Sequence, residues 1–215
     1  AIKAYKPQSS SLGSGQVLQC PYPHQKARLV LREMAEQLAL DLVDKGLVTN
    51  QLVLTVGFDI ENLTDPARRK LYRGPVATDH YGRQIPKHGH GSENLGGHTS
   101  SGKQLLEAAT ALFDRIAPPE LLVRKLSLSA NHVILESQAV KADSGPEQLD
   151  LFTDYSVLEQ EEKARQTEQE KERRMQQTMI SIKKKFGKNA ILKGMSLEEG
   201  ATARERNAQI GGHKA

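Results

Sequence analysis

Two stretches of this chain place apolar side chains at helical spacing, and each lies between β-forming runs. Over residues 24–45 the apolar residues Ala27, Val30, Leu31, Met34, Leu38 and Leu42 line one helix face, and Gly46 supplies a stop just beyond. Over residues 102–116 the spacing recurs in Leu105, Leu106, Ala109, Leu112, Phe113 and Ile116, with Thr99, Ser100 and Ser101 as caps and Pro118-Pro119 as the end. Residues 9–18 suit an irregular or edge strand, ended by Pro21 and Pro23. Residues 51–60 are nearly continuous in β-favouring side chains, which predicts a central strand. Residues 67–94, rich in Gly, His, Arg and Tyr, read as an insertion holding at most a short hairpin. A short strand is expected at 92–99 and a last one at 121–135, where Leu126, Leu128 and Ala130 alternate with Ser127, Ser129 and Asn131.

The order β-α-β, insertion, β-α-β predicts an α+β fold of the split β-α-β, ferredoxin-like kind, a four-stranded sheet with two helices on one face. The other face is expected to be free. Residues 1–137 form this domain, 138–154 a flexible linker, and 155–215 a charged helical tail. Residues 155–185 are dominated by Glu, Gln, Lys and Arg, without Gly or Pro, and read as a long, solvated single helix leading into a mostly irregular end. Hydrophobic a/d positions are too sparse for a coiled coil.

Composition narrows the classes of function. A 37% hydrophobic fraction in 215 residues supports a core that does not use the whole chain, and no apolar run approaches the ~20 residues of a bilayer span. The lone Cys20 excludes an internal disulfide framework and fits a reducing cytosol. The start at Ala1 is neither a signal nor a transit sequence, and without an initiator Met it reads as a cut from a longer protein. A net charge of +4 is only modestly basic.

Three segments suit phosphates. Residues 9–16 offer hydroxyls, glycines and open backbone, with Ser11, Ser14, Gly15 and Gln16 as contacts. His98, Thr99, Ser100 and Ser101 lead into a helix N-terminus. Lys3, Lys6, Arg124 and Lys125 add charge. Together, on strands of one sheet, they point to DNA. The histidines His80, His88, His90 and His98 raise a metal-site reading, but a loop lying near phosphates is preferred, since no second cysteine or helical histidine pair accompanies them. No nucleophile–base pair, phosphate loop or paired carboxylate indicates catalysis. The sharpest motif is Gln148-Leu149-Asp150-Leu151-Phe152. A Leu-Leu-Phe trio on a polar tether has no core of its own to fill, and such trios dock as extended peptides in a partner's groove.

That pentapeptide resembles the sliding-clamp binding motif of bacteria. The segments Ser11-Leu12-Gly13-Ser14-Gly15-Gln16-Val17-Leu18, Val53-Leu54-Thr55-Val56-Gly57-Phe58-Asp59, Thr78-Asp79-His80-Tyr81-Gly82-Arg83 and residues 94–101 resemble the little-finger domain of Y-family translesion DNA polymerases. The likeness is to the UmuC/ImpB/MucB/SamB-type DNA repair proteins of Gram-positive bacteria, and the tail signature Lys185-Phe186-Gly187-Lys188-Asn189-Ala190 fits the same branch. The resemblance implies DNA and a sliding clamp as partners, with other repair proteins reached through the tail. It implies a role in DNA repair and the SOS response, in the cytoplasm at the nucleoid. It also implies that the palm, whose carboxylates hold Mg²⁺, precedes this region, so that this chain alone has no catalytic residue and no cofactor. A stand-alone nucleic-acid adaptor is the alternative. RNA readers stack bases on strand aromatics, of which Phe58 is one of few here.

Overall fold

The computed structural model describes residues 10–142, 155–210 and 213–214. Strand β1 (Leu12–Tyr22) leads into helix α1 (His24–Asp44) and strand β2 (Leu47–Phe58). Two short helices, α2 (Glu61–Thr64) and α3 (Pro66–Leu71), precede a hairpin of β3 (Val76–Thr78) and β4 (Gln84–Pro86). Strand β5 (Gly89–Thr99), helix α4 (Gly102–Ile116) and strand β6 (Val123–Asn131) complete the second unit. Then follow β7 (Ile134–Leu135), α5 (Glu136–Ala142), the long α6 (Tyr155–Phe186), a 3-10 turn at Gly194–Leu197, α7 (Ala203–Asn207), and a minimal pair β8 (Gln209–Ile210) and β9 (His213–Lys214).

The four long strands form an antiparallel sheet in the order β1-β6-β2-β5, and β7 adds to the start of β2. Each β-α-β unit is split by one strand of the other. Helix α1 joins β1 to β2 with β6 between them, and α4 joins β5 to β6 with β2 between them. The second and last long strands are therefore central. Both helices pack on one face, because period-2 alternation sends Leu52, Leu54, Val56, Leu126, Leu128 and Ala130 to that side, where they are buried against Leu31, Leu42, Leu105, Leu112 and Phe113. Gly46 closes α1 at φ +63°, a left-handed stop that an L side chain rarely adopts.

Beyond shifts of a few residues at the ends of β2 and β6, three features differ from the sequence reading. Strand β1 runs through Pro21 to Tyr22, since an edge strand tolerates a residue with no N–H; pairing slips between Val17 and Tyr22. Strand β5 starts at Gly89, so the insertion is shorter than residues 67–94 and is mostly structured. Its Gly89 and Gly91 face α4: a Cβ on Gly89 would lie 2.6 Å from the Ile116 carbonyl oxygen, and one on Gly91 would lie 2.9 Å from Leu112 Cδ1. The strand lacks apolar residues there because the helix fills the space.

The tail is the third difference. Helix α6 is exposed along residues 163–171, as a solvated helix would be, but its C-terminal half packs along α1, burying Gln176 and Met179. Beyond it, Glu33 of α1, only 3% exposed, accepts from the backbone N–H groups of Thr202 and Ala203 at 2.8 and 3.0 Å, holding the start of α7. Lys193 pairs with Glu36 and Lys26 with Glu199.

Candidate nucleic-acid interface

The sheet face opposite the helices follows from register. Gly13 pairs with Ser129, Gly15 with Ser127 and Val17 with Lys125. On the far side of β6, Gln51 pairs with Asn131, Val53 with Ser129, Thr55 with Ser127 and Gly57 with Lys125. Strand β5 adds Asn94, Ser92 and His90 opposite Gln51, Val53 and Thr55. The result is a continuous surface of small and polar side chains, half-exposed or exposed, with no large aromatic among them. Two cross-strand bonds tie its β5 side: Gln51 Nε2 donates to Asn94 Oδ1 at 3.0 Å, and Thr55 Oγ1 lies 2.9 Å from His90 Nδ1. Gly13 has no room for a side chain, because a Cβ would sit 2.9 Å from the Leu128 carbonyl oxygen and closer still to Ser129 Oγ. At Gly13 and Gly15 the edge strand has no side chains, which lets a long polymer backbone approach main-chain groups.

The predicted contact residues fall in different places. Gly15 and Lys125 lie on this open face. Ser14 and Gln16, one position out of phase, turn to the helical side. There Gln16 Nε2 donates to Thr202 Oγ1 at 2.8 Å, and Arg206 Nη1 donates to Gln16 Oε1 at 2.8 Å. Ser11 is exposed just ahead of β1, and Arg124 lies 3.7 Å from the Asp59 carboxylate. His98 and Thr99 end β5 at the opposite sheet edge from β1, so the segments 9–16 and 98–101 do not meet. Ser101 caps α4 by accepting from Gln104 N–H. That helix N-terminus already holds an anion of the chain itself: Glu172 of α6 accepts from Ser101 Oγ at 2.7 Å and from Lys103 N–H at 3.0 Å, while Gln176 donates to the Ser100 carbonyl. Lys6 and the pentapeptide 148–152 lie outside the described residues.

The open-face residues Gln51, Thr55 and Asn94 escape the sequence reading, which names His90 but places it on a loop. Their signal is period-2 alternation in β2 and β5, masked by the glycines of β5. Of the histidines, His80 is at the tip of the β3–β4 turn, His88 precedes β5, His90 faces Thr55 and His98 is near the other end of the strand. Among the described residues no group of three or more His, Cys, Asp or Glu could hold a metal ion, and no helix is long and apolar enough to cross a membrane.

A family model described as the impB/mucB/samB family C-terminal domain matches residues 9–151. No curated protein matches the chain. Among solved structures the chain is similar to one described as a complex of beta-clamp processivity factor and little finger domain of PolIV, at 11% identity and a TM-score of 0.37, over 67% of this chain and 100% of that one.

Proposed function

Because this chain belongs to the impB/mucB/samB family, whose C-terminal domain it carries at residues 9–151, we propose that it is the DNA-gripping part of a Y-family translesion polymerase. The carrying observation is the open sheet face. Gly13 and Gly15 expose main chain, the serines and amides of β2, β5 and β6 supply hydrogen bonds, and Lys125 supplies charge. Such a surface holds a sugar-phosphate backbone without reading bases, which suits a domain that must follow any template. The catalytic carboxylates and their Mg²⁺ belong, on this reading, to a palm elsewhere in the parent protein.

The second part of the proposal is tethering. Gln148-Leu149-Asp150-Leu151-Phe152 docks in a groove of the bacterial sliding clamp, with Leu151 and Phe152 as anchors, Leu149 beside them and the Gln148 amide in a second subsite. Its support is the sequence pattern. A clamp already on DNA raises the effective concentration of the domain at its substrate, so a weak grip suffices.

Fluorescence anisotropy with labelled primer-template DNA tests the grip. Affinity is expected to fall steeply between two salt concentrations and to be equal for unrelated sequences. Marked preference for one sequence, or indifference to salt, would contradict it.

A further inference from the structure

The insertion between β2 and β5 carries an excess of basic side chains. Residues 59–88 carry Arg68, Arg69, Lys70, Arg73, Arg83 and Lys87 against Asp59, Glu61, Asp65 and Asp79, a net charge of +2, and beyond Asp65 the single carboxylate is Asp79. Asp79 is taken by Arg83 at 2.7 Å, and the other five cations pair with no carboxylate among the described residues.

The lobe is rigidly built. Asn62, fully buried, donates to the carbonyl oxygens of Asp59 and Leu122 and accepts from Leu122 N–H, fixing α2 to the segment before β6. Tyr72 donates to the Pro75 carbonyl at 2.6 Å. At the hairpin tip the Asp79 carboxylate accepts from the backbone N–H groups of Tyr81 and Arg83, both at 2.9 Å, and Gly82 takes φ +78°. This turn thrusts out Tyr81, 79% exposed, with the Arg83 guanidinium 5.2 Å from its ring centroid and His80 edge-on at 5.5 Å. The lobe adjoins β2 through β4, and Gly57 near the end of that strand pairs with Lys125.

An exposed aromatic at the hairpin tip, with Arg73 and Lys87 at the hairpin base, suits an unpaired base and the phosphates of its strand. A duplex keeps its bases stacked on one another, whereas a single strand presents each base face. We infer that the β3–β4 hairpin is a second nucleic-acid contact, which stacks Tyr81 on an unpaired base of a single strand leaving the duplex, while Arg73 and Lys87 hold its phosphates. The inference takes its choice of ligand from the DNA-gripping reading above.

The chain has no tryptophan, so Tyr81→Trp places a sole indole at the tip. Titrated with an oligothymidylate of about 12 nucleotides, the variant is expected to lose most of its indole emission, and a blunt duplex should leave it nearly unchanged. Tyr81→Ala should weaken binding to an overhung duplex about tenfold and leave blunt-duplex affinity unaltered. Unchanged emission with the oligonucleotide, or equal overhang binding by Tyr81→Ala, would overturn the inference. So would equal quenching by polyglutamate, which would assign the lobe to an acidic protein. Quenching by the oligonucleotide in a chain that does not bind blunt duplex would support the hairpin and sink the sheet-face reading. Duplex binding with a silent indole would do the reverse.

Discussion

Ser101 Oγ donates to a Glu172 carboxylate oxygen at 2.7 Å, across 71 residues of chain. The carboxylate sits where the backbone N–H groups of the first turn of α4 converge, and Lys103 N–H also points to it. A tail helix rich in charge thereby gains a specific seat, and the site that would attract a phosphate is filled from within.

Removing either partner should cost stability and spare DNA binding. Glu172→Ala is expected to lower unfolding free energy by about 1–2 kcal/mol, the usual worth of a charge-assisted bond at a helix N-terminus. Urea unfolding would measure this, and Ser101→Ala should show a similar loss. Weaker DNA binding by Ser101→Ala at unchanged stability would place a phosphate at α4 after all.

Asn62 is a stronger structural dependency. Its amide makes three bonds to the backbone in a fully buried position. Asn62→Ala leaves the Leu122 N–H without a partner, while the Leu122 and Asp59 carbonyls each lose one of two donors and keep the backbone N–H of Asp59 and of residue 62. The substitution should destabilise by about 1–3 kcal/mol. A thermal melt would register this as a drop of several degrees, and Asn62→Asp should not restore it, because the amide donor remains missing.

Much of this arrangement is legible in the amino-acid sequence. The long helices and the central strand follow from apolar periodicity, and the predicted faces of α1 and α4 are the buried ones, at Leu31, Leu42, Leu105 and Phe113. Strand β5 is half hidden, because Gly89 and Gly91 carry no β-forming side chain and serve by letting Leu112 and Ile116 approach. The seat of α6 is hidden for another reason. Its contact with α1 and α4 uses Glu172, Gln176 and Met179, a stripe of one apolar and two polar residues that hydrophobic periodicity does not reveal. Gln16 is legible as polar and near glycine, but its register beside Leu126 turns it toward Arg206 and away from the open face.

The hairpin tip should respond to acid. The Asp79 carboxyl is held below the ordinary carboxylate range, first by the Arg83 backbone N–H and then by the Arg83 guanidinium and the Tyr81 N–H. A depressed folded-state value means that the stabilisation is present above the unfolded carboxylate value of about 4 and is lost as pH falls through the lower folded one. Proton NMR of the Tyr81 ring should therefore hold steady down to about pH 4 and shift below it. Asp79→Asn should abolish that transition.

Leu151→Ala combined with Phe152→Ala should abolish binding to a purified bacterial sliding clamp while leaving DNA affinity intact. Two apolar anchors in a partner groove account for several kcal/mol, enough to lose a micromolar interaction. Calorimetry with the clamp, beside thermal melts of both forms, checks this. A melt lowered by many degrees would show that the motif staples the domain itself.

The central claim is that DNA lies on the sheet face away from α1 and α4. The direct test is anisotropy of a blunt duplex with Ser127→Glu, which adds a carboxylate to the middle of that face beside Gly15 and Thr55, compared with Gln37→Glu on α1. Ser127→Glu should weaken binding about tenfold or more at low salt with an unchanged melt, since a negative charge is set against the phosphates, and Gln37→Glu should bind as the unaltered chain does. Undiminished binding by Ser127→Glu, with loss in Gln37→Glu, would put the DNA on the helical side and contradict the account.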